Sequence, residues 1–104
     1  MQDFKKLNVW VKAHDLTLQI YKITSSFPNL EQFGVTSQLR RACLSIPTNI
    51  AEECGRNTST DFARFLQIAM GSACEVEYLL FLALELSYLE KDKFNQLNND
   101  YFVP

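Results

Sequence analysis

VTSQLRRACLSIPTNIAEEC, Val35 to Cys54, decides the fold of this 104-residue chain. Its apolar line is Val35, Leu39, Ala42 or Cys43, Ile46, Ile50 and Cys54, which holds the phase of one helix face across Pro47. A proline inside a helix lacks its own N–H and crowds the carbonyl four residues earlier, here that of Cys43. The unbroken phase on both sides predicts one continuous helix bent at Ser45–Ile46, not two helices. Gly55 is expected to stop it.

The flanking segments carry the same period. From about Leu7 to Ser26, Val9, Ala13, Leu16, Ile20, Ile23 and Phe27 recur at spacings of 4, 3, 4, 3 and 4. A second stripe beside them, Leu7, Trp10, His14, Thr17, Tyr21 and Thr24, reads as a half-solvated surface. Pro28 and Asn29 end that helix. A third helix opens at Thr58, whose hydroxyl is placed to cap Asp61 in a variant capping box. Phe62, Phe65, Ala69, Ala73, Val76, Leu80 and Ala83 form its stripe, with a small-residue waist, AMGSAC, at 69–74. The YLLFLALEL run that follows is apolar on nearly every side and needs cover from more than one direction, which points to self-association. A short fourth segment from Glu90 carries Phe94, Leu97 and Tyr101. Four helices and short loops predict an all-α, antiparallel up-down four-helix bundle over residues 1–104, with a Pro-kinked second helix and a short fourth.

Composition narrows the function classes. Three glycines and three prolines disfavour a turn-rich β fold. Charges or polar residues interrupt every apolar stretch before the length a membrane span needs, and no secretory signal opens the chain, so the expected location is the cytoplasm and no membrane partner is inferred. Cys43, Cys54 and Cys74 are odd in number and lack metal-ligand spacing. They read as free thiols in a reducing compartment, and no metal or cofactor is expected. The net charge of −2 hides an asymmetry. Residues 1–74 hold eight Lys/Arg against six Asp/Glu, whereas residues 75–104 hold two against six.

At this point the residues resemble a known family. LNVWVKAHDLTLQIYKIT, FGVTSQLRRACLSIPTNIAEECGR, TSTDFARFLQIAMGSACEVEYLL and ELSYLEKDKF are similar to the four-helix-bundle proteins encoded within 23S ribosomal RNA intervening sequences. The resemblance implies a homopentamer with no established enzymatic activity. It also implies a likeness in fold to accessory proteins of diversity-generating retroelements, which bind nucleic acid. Two departures stand out. Glu53-Cys54-Gly55 replaces the usual ending of the second helix, and the fourth helix is shorter than the family's. The second implies either an incompletely closed bundle or a shortened chain.

Candidate sites follow from spacing. Ser45, Asn49 and Glu52 share one face of the second helix, and Ser72 and Glu75 lie one turn apart on the third. Glu52 and Glu75 as a carboxylate pair would suit metal or acid–base work, but neither has the histidine three residues on that a ferritin-like site needs. The favoured reading is a polar network that satisfies backbone groups freed by Pro47 and pairs with Arg40 or Arg41. His14, a candidate general base, has no nucleophile tied to it by sequence. Small helical RNases of the HEPN type carry Arg-x4–6-His late in the chain, and this sequence has no histidine after position 14. Arg40, Arg41, Arg56 and Arg64 are the candidate nucleic-acid-binding residues, because the guanidinium fork matches phosphate at two points and symmetry would multiply such contacts. The function expected is that of a non-enzymatic oligomeric bundle binding RNA, DNA or a nucleoprotein partner through a basic rim, with no small-molecule substrate. The alternative is a protein-binding scaffold.

Overall fold

A computed structural model describes residues 3–54 and 59–102, except for the side chains of residues 59–62. Four α-helices follow the apolar periods: α1 (Asn8–Thr24), α2 (Val35–Glu53), α3 (Ser59–Glu85) and α4 (Lys91–Leu97). Two single 3-10 turns, Phe4–Lys6 and Asn29–Glu31, precede α1 and α2. The described residues form an all-α protein with no strand, its helices packed on one another. Gly55 and the Thr58 cap lie outside the described residues.

The helix α2 runs through Pro47 without interruption. Pro47 is itself buried, as are Leu39, Ala42, Cys43 and Ile50. Burial of one apolar face holds the helix together where a ladder hydrogen bond is missing. On its two sides α2 packs against α1 and α3. Thr17 meets Cys43 at 3.5 Å and Thr24 meets Arg40 at 2.8 Å, so α1 and α2 run in opposite directions. Ser45 meets Ser72 at 2.8 Å. Were α2 and α3 parallel, the link from Glu53 to Ser59 would have to span roughly 30 Å, beyond the reach of six residues at ~3.6 Å each. They too are antiparallel.

The core gathers Leu16 and Ile20 from α1, Leu39 and Cys43 from α2, Val76, Leu80 and Ala83 from α3, and Leu97 from α4. Two end devices set the remaining geometry. Ser87, with φ 64°, takes the left-handed position after α3. The Tyr88 N–H donates to the Ala83 carbonyl at 2.9 Å and the Ser87 N–H to Leu84 at 3.0 Å, the paired bonds of a Schellman ending. At the start of α2, Glu31 Oε1 accepts from the Val35 N–H at 3.2 Å while Oε2 accepts from the Tyr88 hydroxyl at 2.8 Å. That hydrogen bond to a carboxylate raises the Tyr88 pKa above its ordinary value. One carboxylate thus caps α2 and ties down the turn after α3.

The fourth helix is as short as its stripe suggested, and it does not stop at Leu97. It continues as one π-helical stretch, Asn98–Phe102. Tyr101 is anchored there by α1: its hydroxyl donates to Asp15 and accepts from Gln19 Nε2 at 2.8 Å, while Lys93 donates to Gln19 Oε1 at 3.0 Å. An apolar cavity of about 180 Å³ opens between α1, α2 and α3 beside that anchor, lined by Val9, Lys12, Ala13, Leu16, Ile46, Ala73 and Tyr101.

The molecule measures 43 × 27 × 20 Å, with a radius of gyration of 14.4 Å against ~13 Å for an average domain of this length. Its surface is 6888 Å², whereas a compact monomer of 12.0 kDa exposes roughly 6000 Å². Large apolar side chains contribute to that surface. Met70 is 68% exposed, Tyr78 59% and Phe81 49%, all on α3. Val9, expected in the core stripe, is 59% exposed. It sits in the first turn of α1, where only the open cavity faces it. Among the described residues, Ala63–Glu85, of mean hydropathy 1.4, is long and apolar enough by length and composition to cross a membrane. The sequence expectation had denied such a stretch. Val76, Leu79, Leu80 and Ala83 within it are core residues, but only 17% of its apolar window is buried.

Candidate nucleic-acid interface

The four candidate arginines do not form one cluster. Arg40 turns inward along the α1–α2 seam. Its Nε donates to Thr24 Oγ1 at 2.8 Å, a terminal N–H donates to the Tyr21 carbonyl at 3.2 Å, and the guanidinium lies 4.7 Å from the centre of the Tyr21 ring. Thr24 is only 3% exposed and already gives its own proton to the Ile20 carbonyl. Arg40 therefore joins the end of α1 to α2, held at that seam by two of its five N–H groups and by the Tyr21 ring.

Arg41 and Arg64 are different. Both are exposed, and neither makes a hydrogen bond or ion pair among the described residues. Arg41 lies one turn before Ser45, and Arg64 two turns before Ser72. With the two helices antiparallel, these positions are offset by about 18 Å along their axes, since four and eight residues add at ~1.5 Å each. Two free guanidinium groups on one face at that separation can engage phosphates several nucleotides apart. Arg56 lies outside the described residues.

The polar network around Pro47 exists in a narrower form than expected. Asn49 Nδ2 donates to the Ser45 carbonyl at 2.6 Å and to Ser45 Oγ at 3.3 Å, and Ser45 Oγ pairs with Ser72. This joins the proline-containing turn of α2 to the waist of α3. Glu52 and the arginines are not members of it. Glu52 and Glu75 are both exposed, and among the described residues no three His, Cys, Asp or Glu side chains converge as metal ligands. Cys43 is fully buried, which pushes its thiol pKa up and outweighs the opposing effect of the Thr17 hydrogen bond. An inert core thiol results.

His14 is stacked on Trp10, with ring centres 4.6 Å apart and planes within 10°, and Phe4 meets Trp10 edge-on at 5.1 Å. It hydrogen-bonds to no nucleophile. Spacing on α1 put these rings on one stripe. That Arg40 would turn toward the same stripe was not readable, because nothing in sequence aligns residue 40 with residues 21 and 24.

Residues 5–102, nearly the whole chain, match the family model described as 23S rRNA-intervening sequence protein. The chain belongs to that family. A comparison with curated proteins returns no match. Within this intervening-sequence protein, the family match spans all four helices, Arg41, Arg64, the Ser45–Asn49–Ser72 network and the Trp10–His14 pair alike.

Proposed function

We propose that this intervening-sequence protein is a non-catalytic, self-associating helical bundle that binds nucleic acid, or a nucleoprotein partner, through a basic face. The observation that carries the reading is the pair of exposed guanidinium groups, Arg41 and Arg64, with no ion-pair partner among the described residues, in a chain whose net charge is negative. A cation kept free of carboxylates on an otherwise acidic protein is available to phosphate. Self-association multiplies such contacts. It is supported by the surface excess of about 900 Å² and by the exposed apolar side chains of α3; a pentamer is the assembly that the family resemblance implies. No catalytic step is assigned, because His14, Glu52 and Glu75 have no activating partner among the described residues.

The second reading, a protein-binding scaffold without nucleic-acid contact, draws on the same apolar side chains, Met70, Tyr78 and Phe81. The two separate in one experiment. Fluorescence anisotropy with labelled RNA and DNA oligonucleotides compares wild type with the Arg41→Glu/Arg64→Glu double variant. Nucleic-acid binding predicts sequence-independent affinity for wild type and a loss of at least tenfold in the variant, with an unchanged oligomer mass. Equal, negligible signals from both proteins at low salt would leave the scaffold.

A further inference from the structure

The α1 edge that Arg40 closes has a second use, independent of Arg41 and Arg64. Trp10, His14 and Tyr21 fall within about 40° of one another around α1, since each residue advances the helix by ~100°. They flank the buried arc of Ala13, Leu16, Thr17, Ile20 and Thr24 without entering it. His14 is exposed, with one ring face against Trp10 and the other open. Behind it, the edge-on contact of Phe4 holds Trp10 in place. Seven residues further, about 10 Å along the axis, Tyr21 is 39% exposed beneath the Arg40 guanidinium.

Charge on this edge is mainly positive. Lys5 and Lys6 are exposed beside Phe4, with Lys5 Nζ 6.0 Å from its ring centre. Arg40 stands at the far end, two of its five N–H groups engaged and its charge intact. Asp3 turns its carboxylate back to the Lys5 backbone N–H at 3.1 Å. Two flat ring platforms about 10 Å apart, with cations at both ends, match successive unstacked bases and their phosphates. A duplex hides its base faces, and a folded protein partner would need carboxylates at both ends.

We propose that the Trp10–His14 and Tyr21–Arg40 platforms stack the bases of a single-stranded nucleic acid along the outer edge of α1. This deepens the nucleic-acid reading above by naming the form of the ligand, and it rests on that reading only for the class of polymer. The phosphates follow Lys5 and Lys6, and two to three stacked steps of ~3.4 Å bridge the platforms.

Trp10 is the only tryptophan in the chain, so its fluorescence reports the His14 platform without a label. The intact protein is titrated at low salt with a fifteen-nucleotide oligothymidylate, with the same length of mixed duplex, and with anionic phospholipid vesicles. Single strand should quench Trp10, and duplex should not. His14→Ala should weaken single-strand binding by roughly 5- to 100-fold, as expected for one lost stacked base. His14→Phe should restore it, which a merely structural histidine would not require. Equal quenching by single strand and duplex would overturn the proposal, as would full affinity in His14→Ala. So would anisotropy-detected binding that leaves Trp10 unchanged, or a Trp10 response to vesicles alone. The Arg41→Glu/Arg64→Glu variant separates the two ideas. Duplex binding lost in that variant, with Trp10 silent, sinks the stacking edge and keeps the basic face. Trp10 quenching retained in the variant does the reverse, and no binding of any kind removes both.

Discussion

Replacing Arg40 by Ala should destabilise the fold without changing how strongly nucleic-acid binding depends on salt. Its Nε–Thr24 and terminal N–H–Tyr21 hydrogen bonds each contribute about 1 kcal/mol net at a half-exposed site. The guanidinium over the Tyr21 ring adds ~0.5 kcal/mol. Truncation also leaves the nearly buried Thr24 oxygen without its donor. The total is roughly 2.5 kcal/mol, or about 10–20 °C in Tm for a domain of this size. Thermal unfolding followed by circular dichroism at fixed protein concentration measures it, because self-association makes Tm concentration-dependent. Arg41→Ala, removing an exposed and unpartnered side chain, is the internal control and should move Tm by no more than about 2 °C. Arg40→Lys should recover only part of the loss, since an ammonium cannot span both acceptors. Equal Tm values for Arg40→Ala and Arg41→Ala would refute the structural role. A collapse of nucleic-acid affinity in Arg40→Ala at unchanged Tm would return Arg40 to the phosphate-binding set.

Ser87→Gly should stabilise the protein by about 0.5–1 kcal/mol, because a glycine meets no Cβ penalty at φ 64° in the ending of α3; urea unfolding with an unchanged m-value checks it. Gly34→Ala should cost about 1 kcal/mol by the same assay, since its new Cβ would stand 2.5 Å from Glu31 Oε1 and displace the carboxylate that caps α2. Tyr101 is pushed up to about 12, first by burial and then by its hydrogen bond to Asp15. A folded pKa above the unfolded value of ~10 means the native state holds its proton longer. This contribution is complete below pH ~10 and is lost as pH rises from there toward 12. Ultraviolet titration of tyrosinate should show a late step that disappears in Tyr101→Phe, and a normal titration of all four tyrosines would contradict the Asp15 contact.

The helices were legible because each buries one face, and a 3.6-residue period records that burial directly. The continuity of α2 held even at Pro47, where local propensity argues for a break and the apolar phase from Leu39 to Ile50 argues against one. What sequence could not supply was pairing between helices. Arg40 and Arg41 are chemically identical neighbours, and only the register of α1 on α2 decides that one closes a seam while the other faces solvent. The same holds for Asn49, which belongs to the Ser45–Ser72 network, against Glu52, one turn away and outside it. Ser87 hid because serine carries no signal for a left-handed conformation. The stripe Phe94, Leu97 and Tyr101 carried the fourth segment as far as Tyr101, but an apolar period does not tell the π-helical winding of Asn98–Phe102 from an α-helix, and the Tyr101 anchor is made by residues more than eighty positions earlier.

The most direct test of the central claim is the salt dependence of nucleic-acid binding by the wild-type protein, measured from about 20 to 300 mM. Two free arginines in one subunit release few counterions, giving a slope near −2 in log K against log salt; a face repeated across an assembly gives a steeper one. The account predicts binding at low salt with a slope steeper than about −2 that flattens in Arg41→Glu/Arg64→Glu. Absence of binding to RNA and DNA at the lowest salt, or an affinity indifferent to salt, would contradict it.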